Sequence, residues 1–456
     1  MQFTYGAMIN QRRNINIDVL GNYLPGSLVE NYKKRYPGKF RDRVYGLRDV
    51  LNGIMLQTVE TDKSEEHVVH LLWEHHEQQK RLIEEQESIF RDKQPDQTKR
   101  KPGRPRKQFV HVQKSKRQSI STNTASFDEA KARFPKDLLL EAFRCTTTKE
   151  IHGIDKEARK WYGHEVKIVD ATLIETVDNV CLRKEYAPKQ QKNPLTLPLA
   201  RVVGIIDYYG GYIQEFAIGG YYTSETALLS QIHDKLSPGS LILADELYGR
   251  FPHFAYCLNH GIELISQVKI NRKEIIEKQL GENDYLIRWK RTKNTKVVLW
   301  KQTDQQASIQ LRKISIPNPR YPDKWLQFYT TLTDAGKYPA AAIVALYLCR
   351  WDIELSFREI KQVMKLTNTR GKSVDSVEKE IISHLLVYNI LRTQMQSVFA
   401  QQGEDFFSLR TSFYQDDENS KNDTSYVDRL GRTYARKSPG RYPNLAIQSQ
   451  EEENHR

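Results

Sequence analysis

Apolar residues recur at helical spacing from Leu47 onward, at Val50, Leu51, Ile54, Leu56 and Val59, and the pattern predicts helix as far as Leu72. From His67 to Asp92 the same period continues on a long polar helix. His67, His70, His75 and His76 lie on it beside Glu66, Glu74 and Glu77, but no His-Glu-x-x-His or other ligand spacing appears, so they read as a solvated face. A second helical pattern runs through STNTASFDEAKARFPKDLLLEAFR, with Ser126 or Asp128 as its cap. From Val166 the period shortens. VKIVD is followed by RVVGIID and YIQEFAI around a Tyr-Gly-Gly turn, then by a helix from Ser224 to Leu236. The strand LILAD, a helix from about Tyr248 to Asn259 and the strand LISQVKI come next. This order implies an α/β fold with a mixed sheet. Residues 272–335 are β-rich (KVVLW, SIQLRKISI, WLQFYTTLT) and read as an insertion, in which Trp289 and Trp300 are either core residues or platforms for a flipped base. Helix returns at Pro339, and no Gly or Pro interrupts before Gly371; a final helix covers Val374 to Gln401.

Between these patterns the composition changes. Residues 93–125 are rich in Pro, Gly, Lys, Arg and Ser and offer little to bury, so they form a linker. The domain order that results is a helical region at 1–92, the basic linker at 93–125, a helical connection at 126–160, the first part of the core at 161–271, the β insertion at 272–335, the rest of the core at 336–402 and a polar, partly basic tail at 403–456. The chain has 456 residues, enough for two or three domains, with 39% hydrophobic residues and a net charge of +13 that calls for an anionic partner. The charge is concentrated: Lys93 to Arg117 holds ten Lys or Arg and one acid, Asp96. Within it KRKPGRPRK, with Arg100, Lys101, Arg104 and Arg106, resembles an AT-hook, in which Arg104 enters the narrow minor groove of AT-rich DNA. The alternative is a basic linker that binds phosphates without preference, and both bind nucleic acid. No apolar run reaches the roughly 18 residues of a membrane span. The N-terminus lacks the apolar core of a signal peptide, and Cys145, Cys181, Cys257 and Cys349 have no metal-ligand spacing, which points to reduced thiols in the cytoplasm.

The candidate chemistry lies in three places. Asp170 closes VKIVD and Asp245 closes LILAD, where an acid is either a turn residue or a site residue. In YLCRWDIELSFREIK, Tyr347, Arg350, Glu354 and Lys361 fall at offsets of 0, 3, 7 and 14 and share one helical stripe at roughly 100° per residue. Such a stripe is either a solvated face with weak ion pairs or a carboxylate set among phosphate-gripping cations. Three acids at one sheet edge can hold two Mg²⁺ ions, which favour oxygen ligands and support in-line attack on a phosphodiester.

Tyr347, Arg350, Glu354 and Lys361 match at every position the signature of DDE transposases of the insertion-sequence-four family, which the chain resembles from about residue 47 to 445. VDATLIETVDN resembles the motif of the family's first aspartate, at Asp170, and SLILADELYGRF that of its second, at Asp245. The resemblance implies an RNase H-like core interrupted by a β domain. It also implies metal ligation by Asp170, Asp245 and Glu354 with two Mg²⁺ (Mn²⁺ able to substitute), and phosphate contacts from Tyr347, Arg350 and Lys361. The implied partner is double-stranded DNA, both transposon ends and target, bridged by a homodimer, with no membrane, in the bacterial cytoplasm at the nucleoid. A decayed, non-catalytic DNA-binding protein and an RNase H-fold nuclease are the competing readings. Glu246, beside Asp245, departs from the family, which more often has a basic residue there.

Overall fold

The computed structural model describes residues 17–40, 44–60, 62–92, 120–147, 159–186, 197–269, 273–292, 306–318, 321, 323–348, 350, 357, 360–361 and 364–402. Glu354, Trp300 and the basic linker with Arg100, Lys101, Arg104 and Arg106 lie outside these residues, as does the tail from residue 403. Along the chain come α1 (Ile17–Asn22), α2 (Leu28–Arg35), α3 (Leu47–Val59), α4 (Glu65–Asp92), α5 (Thr124–Arg133) and α6 (Lys136–Thr147). Then follow β1 (Val166–Glu175), α7 (Val180–Tyr186), β2 (Leu199–Asp207), β3 (Ile213–Gly220), α8 (Glu225–Ile232), β4 (Leu241–Ala244), α9 (Phe251–Asn259) and β5 (Glu263–Gln267). The insertion supplies β6 (Glu274–Gly281), β7 (Asp284–Lys290), β8 (Ser308–Pro317) and β9 (Trp325–Thr330), before α10 (Ala340–Leu348) and α11 (Val374–Gln402).

Apart from α7 between β1 and β2, three antiparallel strands, a helix, a strand, a second helix and a strand parallel to the last form the element order of an RNase H-like α/β core, as expected. The chain divides into two compact units. The first comprises residues 1–159, 167–236 and 354–409; the second comprises 160–166, 237–353 and 410–456.

In the first unit α11 packs against α6 and α3. Val377, Ile381, Ile382, Leu385, Leu386, Tyr388, Ile390 and Leu391 are all buried, so this helix contributes core on several faces. Several of its buried polar residues are paired inside, Ser383, His384 and Asn389 among them. Asn389 donates to the Ile213 carbonyl and accepts from the Ile213 N–H, both at 2.8 Å, where the β2–β3 register shifts. The helical period does not run unbroken from Leu47 to Leu72. The helix stops at Val59, Glu60 is extended, the Asp62 carboxylate accepts from Ser64 N–H and the Ser64 hydroxyl accepts from His67 N–H. Short polar side chains here compete with helical hydrogen bonds and start a new helix. Within that break Lys63 is buried, and its ammonium donates to the Met364 carbonyl at 2.8 Å and lies 3.0 Å from His384 Nε2. The cap of α5 is Asn123, which accepts from Ala125 N–H, rather than Ser126 or Asp128.

In the second unit β4 and β5 are parallel, and β5 is continued by β9, β8, β7 and β6, all antiparallel. The insertion therefore extends the sheet from β5. The β6–β7 hairpin was not visible as a pair in the sequence; Asn283, at φ 56°, makes its turn. Trp289 is a core residue, edge-on to Phe251 and Tyr329. Arg312, 1% exposed, makes two hydrogen bonds to the Asp284 carboxylate (2.8 and 2.6 Å) and one to the Tyr338 carbonyl. Arg312→Ala leaves a buried, unpaired carboxylate and is expected to cost about 3–5 kcal/mol of unfolding free energy. Urea denaturation checks this, and a loss below about 1 kcal/mol would mean the pair is dispensable.

Candidate active site

In the first unit Asp170 sits at the middle of β1 rather than at a strand end. β1 runs on through Ala171–Glu175, because that β-rich stretch pairs residue by residue with Leu199–Val203. Asp170 lies opposite Gly204 of β2, and Phe357 packs its ring 3.0 Å from where a Gly204 side chain would begin. The bare glycine lets a residue three positions beyond Glu354 rest on the strand pair that carries Asp170. Lys361, one helical turn after Phe357, is half-buried. Burial lowers its pKa, and the carboxylates of Asp170 and Glu175 oppose that shift. The chain downstream is tied to the end of β1: Glu175 N–H donates to the Thr367 carbonyl, and Thr369 N–H donates to that of Glu175. Asp170 and Lys361 are thus brought together.

In the second unit Asp245 is the first residue past β4. Its Oδ1 accepts from Leu247 N–H at 2.8 Å, and its carbonyl accepts from Tyr248 N–H and from the Ser266 hydroxyl at 2.7 Å. The turn-residue reading of this acid therefore holds for one oxygen. The other accepts no hydrogen bond among the described residues. A side chain at Gly249 would run into the Gln267 carbonyl, so the tight approach of this turn to β5 requires glycine. Tyr347 is 1% exposed; its hydroxyl donates to the Ala244 carbonyl at 3.0 Å and receives the Gln267 N–H at 3.4 Å. Burial raises the pKa of this phenol, against the Arg350 charge and the Gln267 hydrogen bond. Arg350 is buried too, with its guanidinium 5.6 Å from the centre of the Tyr347 ring. α10 closes at Leu348, just short of Arg350, and Glu354 lies outside the described residues. Tyr347, Arg350 and Asp245 form the second group brought together.

Carboxylate oxygens are hard donors, and a fixed aspartate with one oxygen left over fits a divalent cation that prefers oxygen. Glu246, the departure from the family's motif, meets Lys269 at 3.6 Å. Sequence reasoning missed Ser266, Gly249 and Phe357. The signal for Ser266 was a lone hydroxyl inside an apolar strand, and for Gly249 a glycine four residues past an acid.

Over residues 161–390 the chain matches the family model of the transposase DDE domain. It is 27% identical over 292 residues to transposase InsG for insertion sequence element IS4 of Escherichia coli (strain K12), a match covering 62% of each protein. A shorter match, 43% identical over 63 residues, is to the putative transposase y4zB of Sinorhizobium fredii (strain NBRC 101917 / NGR234), covering 14% of this chain and 18% of that protein. The chain spans less than two thirds of the length of these relatives. A solved piggyBac transposase synaptic complex with hairpin DNA aligns with a TM-score of 0.31 and 12% identity, over 63% of this chain and 60% of that one.

Two outcomes are expected of this site's scaffold. Tyr347→Phe leaves the Ala244 carbonyl without its buried donor and is expected to lower unfolding free energy in urea by about 1–2 kcal/mol. An unchanged midpoint would show that the hydroxyl does not brace the strand end. His253 is fully buried on α9 with Nδ1 3.0 Å from the Tyr248 carbonyl, and burial pushes its pKa from 6.5 down to about 4. The unfolded chain takes up that proton first as pH falls. Stability is therefore full above pH 6.5 and declines between 6.5 and about 4, by up to roughly 3 kcal/mol. His253→Gln is expected to flatten that part of the stability–pH curve, and an identical slope in the variant would refute the assignment.

Proposed function

Since the chain belongs to the transposase DDE domain family, we propose that it is the transposase of a bacterial insertion sequence. In this reading it binds the terminal inverted repeats, cuts the DNA there and joins the freed 3′-hydroxyl to target DNA. The observation that carries the reading is the seat of Asp245. The second acid of the expected triad stands on a turn locked by Ser266, and Tyr347, the first residue of the signature, holds the preceding carbonyl.

Asp170, Asp245 and Glu354 are the proposed ligands of divalent cations, with two Mg²⁺ as the specific assignment and Mn²⁺ as a substitute. When bound, such ions lower the pKa of attacking water and neutralise charge on the phosphodiester. The protein's own part is to fix the acids on β1 and after β4 and to surround the scissile phosphate with cations. Lys361, beside Asp170, and Arg350, over Tyr347, are the proposed phosphate contacts, through charge-assisted hydrogen bonds. The Tyr347 hydroxyl already gives its proton to Ala244, so a phosphate contact from it would require that bond to open; a bracing role fits its geometry better. The substrates are double-stranded DNA at the ends and at the target, bridged by a homodimer at the bacterial nucleoid. The basic linker, through Arg100, Lys101, Arg104 and Arg106, adds contacts to groove or phosphates. Among the described residues no helix is long and apolar enough to cross a membrane. Glu246 lies 3.6 Å from Lys269 in the free protein, a partner other than metal, which supports the catalytic reading over the non-catalytic one.

The test is Mg²⁺-dependent cutting of a labelled duplex that carries the inverted repeats flanking the gene. The wild type is expected to cut at the repeat boundary and transfer the 3′ end to a second duplex. Asp170→Asn, Asp245→Asn and Glu354→Gln are each expected to bind the duplex without cutting it. Binding without cutting by the wild type, in Mg²⁺ and Mn²⁺ alike, would overturn the reading, and cutting without strand transfer would favour a nuclease.

A further inference from the structure

Beside the Asp245 turn the second unit has an open cavity of about 450 Å³ lined by Glu246, Leu247, Arg250 and Lys269. Its size lies within the roughly 300–1,000 Å³ of small-molecule sites. The walls are chemically mixed. Leu247 offers an exposed apolar side chain. Arg250 is exposed and donates from Nε to the Leu247 carbonyl at 3.0 Å, which fixes the guanidinium on the turn; its terminal nitrogens make no hydrogen bond among the described residues. Lys269, 75% exposed, is paired only loosely with Glu246, which is 40% exposed, at 3.6 Å. A pair this exposed holds about 0–1 kcal/mol and is readily exchanged for another anion.

We propose that this cavity takes one backbone phosphate and its sugar from the DNA strand bound at Asp245, with Arg250 and Lys269 as the phosphate ligands and Leu247 against the sugar. Glu246 occupies Lys269 in the free protein and is displaced when DNA arrives. The position argues for this occupant: Glu246 and Leu247, which line the cavity, directly follow Asp245 in its turn, so whatever fills the cavity lies alongside the strand presented to Asp245. A planar guanidinium and a mobile ammonium on one rim suit a phosphate's several acceptor oxygens. The exchange of Glu246 for phosphate makes entry favourable for an anion and unfavourable for a neutral ligand. This inference rests on the transposase reading and extends it to a contact outside the signature.

The experiment measures binding of the full chain to the labelled inverted-repeat duplex across a series of potassium chloride concentrations, without divalent metal. Arg250→Ala and Lys269→Ala are each expected to weaken binding and to reduce the salt slope by about 0.9, the value for one lost phosphate contact on duplex DNA. Lys269→Arg restores the slope. Glu246→Gln is expected to tighten binding by up to about fivefold, the equivalent of the roughly 1 kcal/mol an exposed pair can hold. That gain shrinks when Lys269 is already Ala. Unchanged slopes in both cation variants would overturn the phosphate site. An equal Glu246→Gln gain with and without Lys269 would overturn the exchange, leaving simple repulsion of DNA. A wild type that fails to bind the duplex, or to cut it once Mg²⁺ is added, overturns the transposase reading itself. A wild type that binds and cuts, with slopes unmoved by either substitution, overturns only this cavity. All three side chains are solvent-accessible, and matching thermal melts verify that the variants fold.

Discussion

A helix buried on several faces needs internal partners for the polar groups it buries, and α11 brings that requirement to the first unit. Its apolar residues face α3 and α6. Its polar ones reach specific counterparts. Ser383 meets Thr58 of α3 at 3.0 Å, Asn389 closes the backbone at Ile213, and His384 Nδ1 bonds the Glu380 carbonyl while its Nε2 faces Lys63. Glu380 itself accepts from the N–H groups of Arg370 and Gly371; burial raises its pKa and those donors oppose the rise. Arg370 returns a hydrogen bond to the Lys63 carbonyl. The segment that leaves Lys361 is therefore pinned to the break between α3 and α4 by one connected set of polar contacts that runs from buried Lys63 and His384 out to exposed Arg370.

The second unit solves a related problem by other means. There an acid has to stand at a fixed place without a charged neighbour tying up both of its oxygens. The backbone is held instead of the carboxylate: Ser266 and Tyr347 bond main-chain carbonyls on either side of the β4 end, and the close approach of Gly249 to β5 fixes the turn. Only one carboxylate oxygen is spent on the turn. Rigidity is thus supplied from behind, and among the described residues the other oxygen of this proposed metal ligand accepts no hydrogen bond. This is the arrangement that pre-organised charge stabilisation requires.

Much of this was legible in the sequence because local pattern and global fold agree. The apolar runs gave the strands of the core, and the spacing of Tyr347, Arg350, Glu354 and Lys361 gave the signature without help from structure. The failures share a cause, which is side chains acting on backbone. Nothing in the apolar period reveals that Asp62 and Ser64 will stop one helix and start another, because hydrophobic residues resume in phase on the far side. The length of β1 was underread because Asp170 resembles a strand terminator, whereas its neighbours pair on past it with β2. The roles of Ser266 and of Tyr347 depend on residues about twenty and one hundred positions away, at Asp245 and Ala244, and no local window contains both.

The Lys63 contact has a bearing on how segments can be moved between relatives. A helical region that merely preceded the core could be exchanged as a cassette. Here α3 shares a hydrophobic interior with α11, and Lys63 places a buried ammonium on the Met364 carbonyl just past the signature. A graft of foreign N-terminal helices would strand that carbonyl and expose the inner face of α11. A working chimaera therefore has to transplant the α3-facing side of α11 along with the helices, because the two are built as one interior.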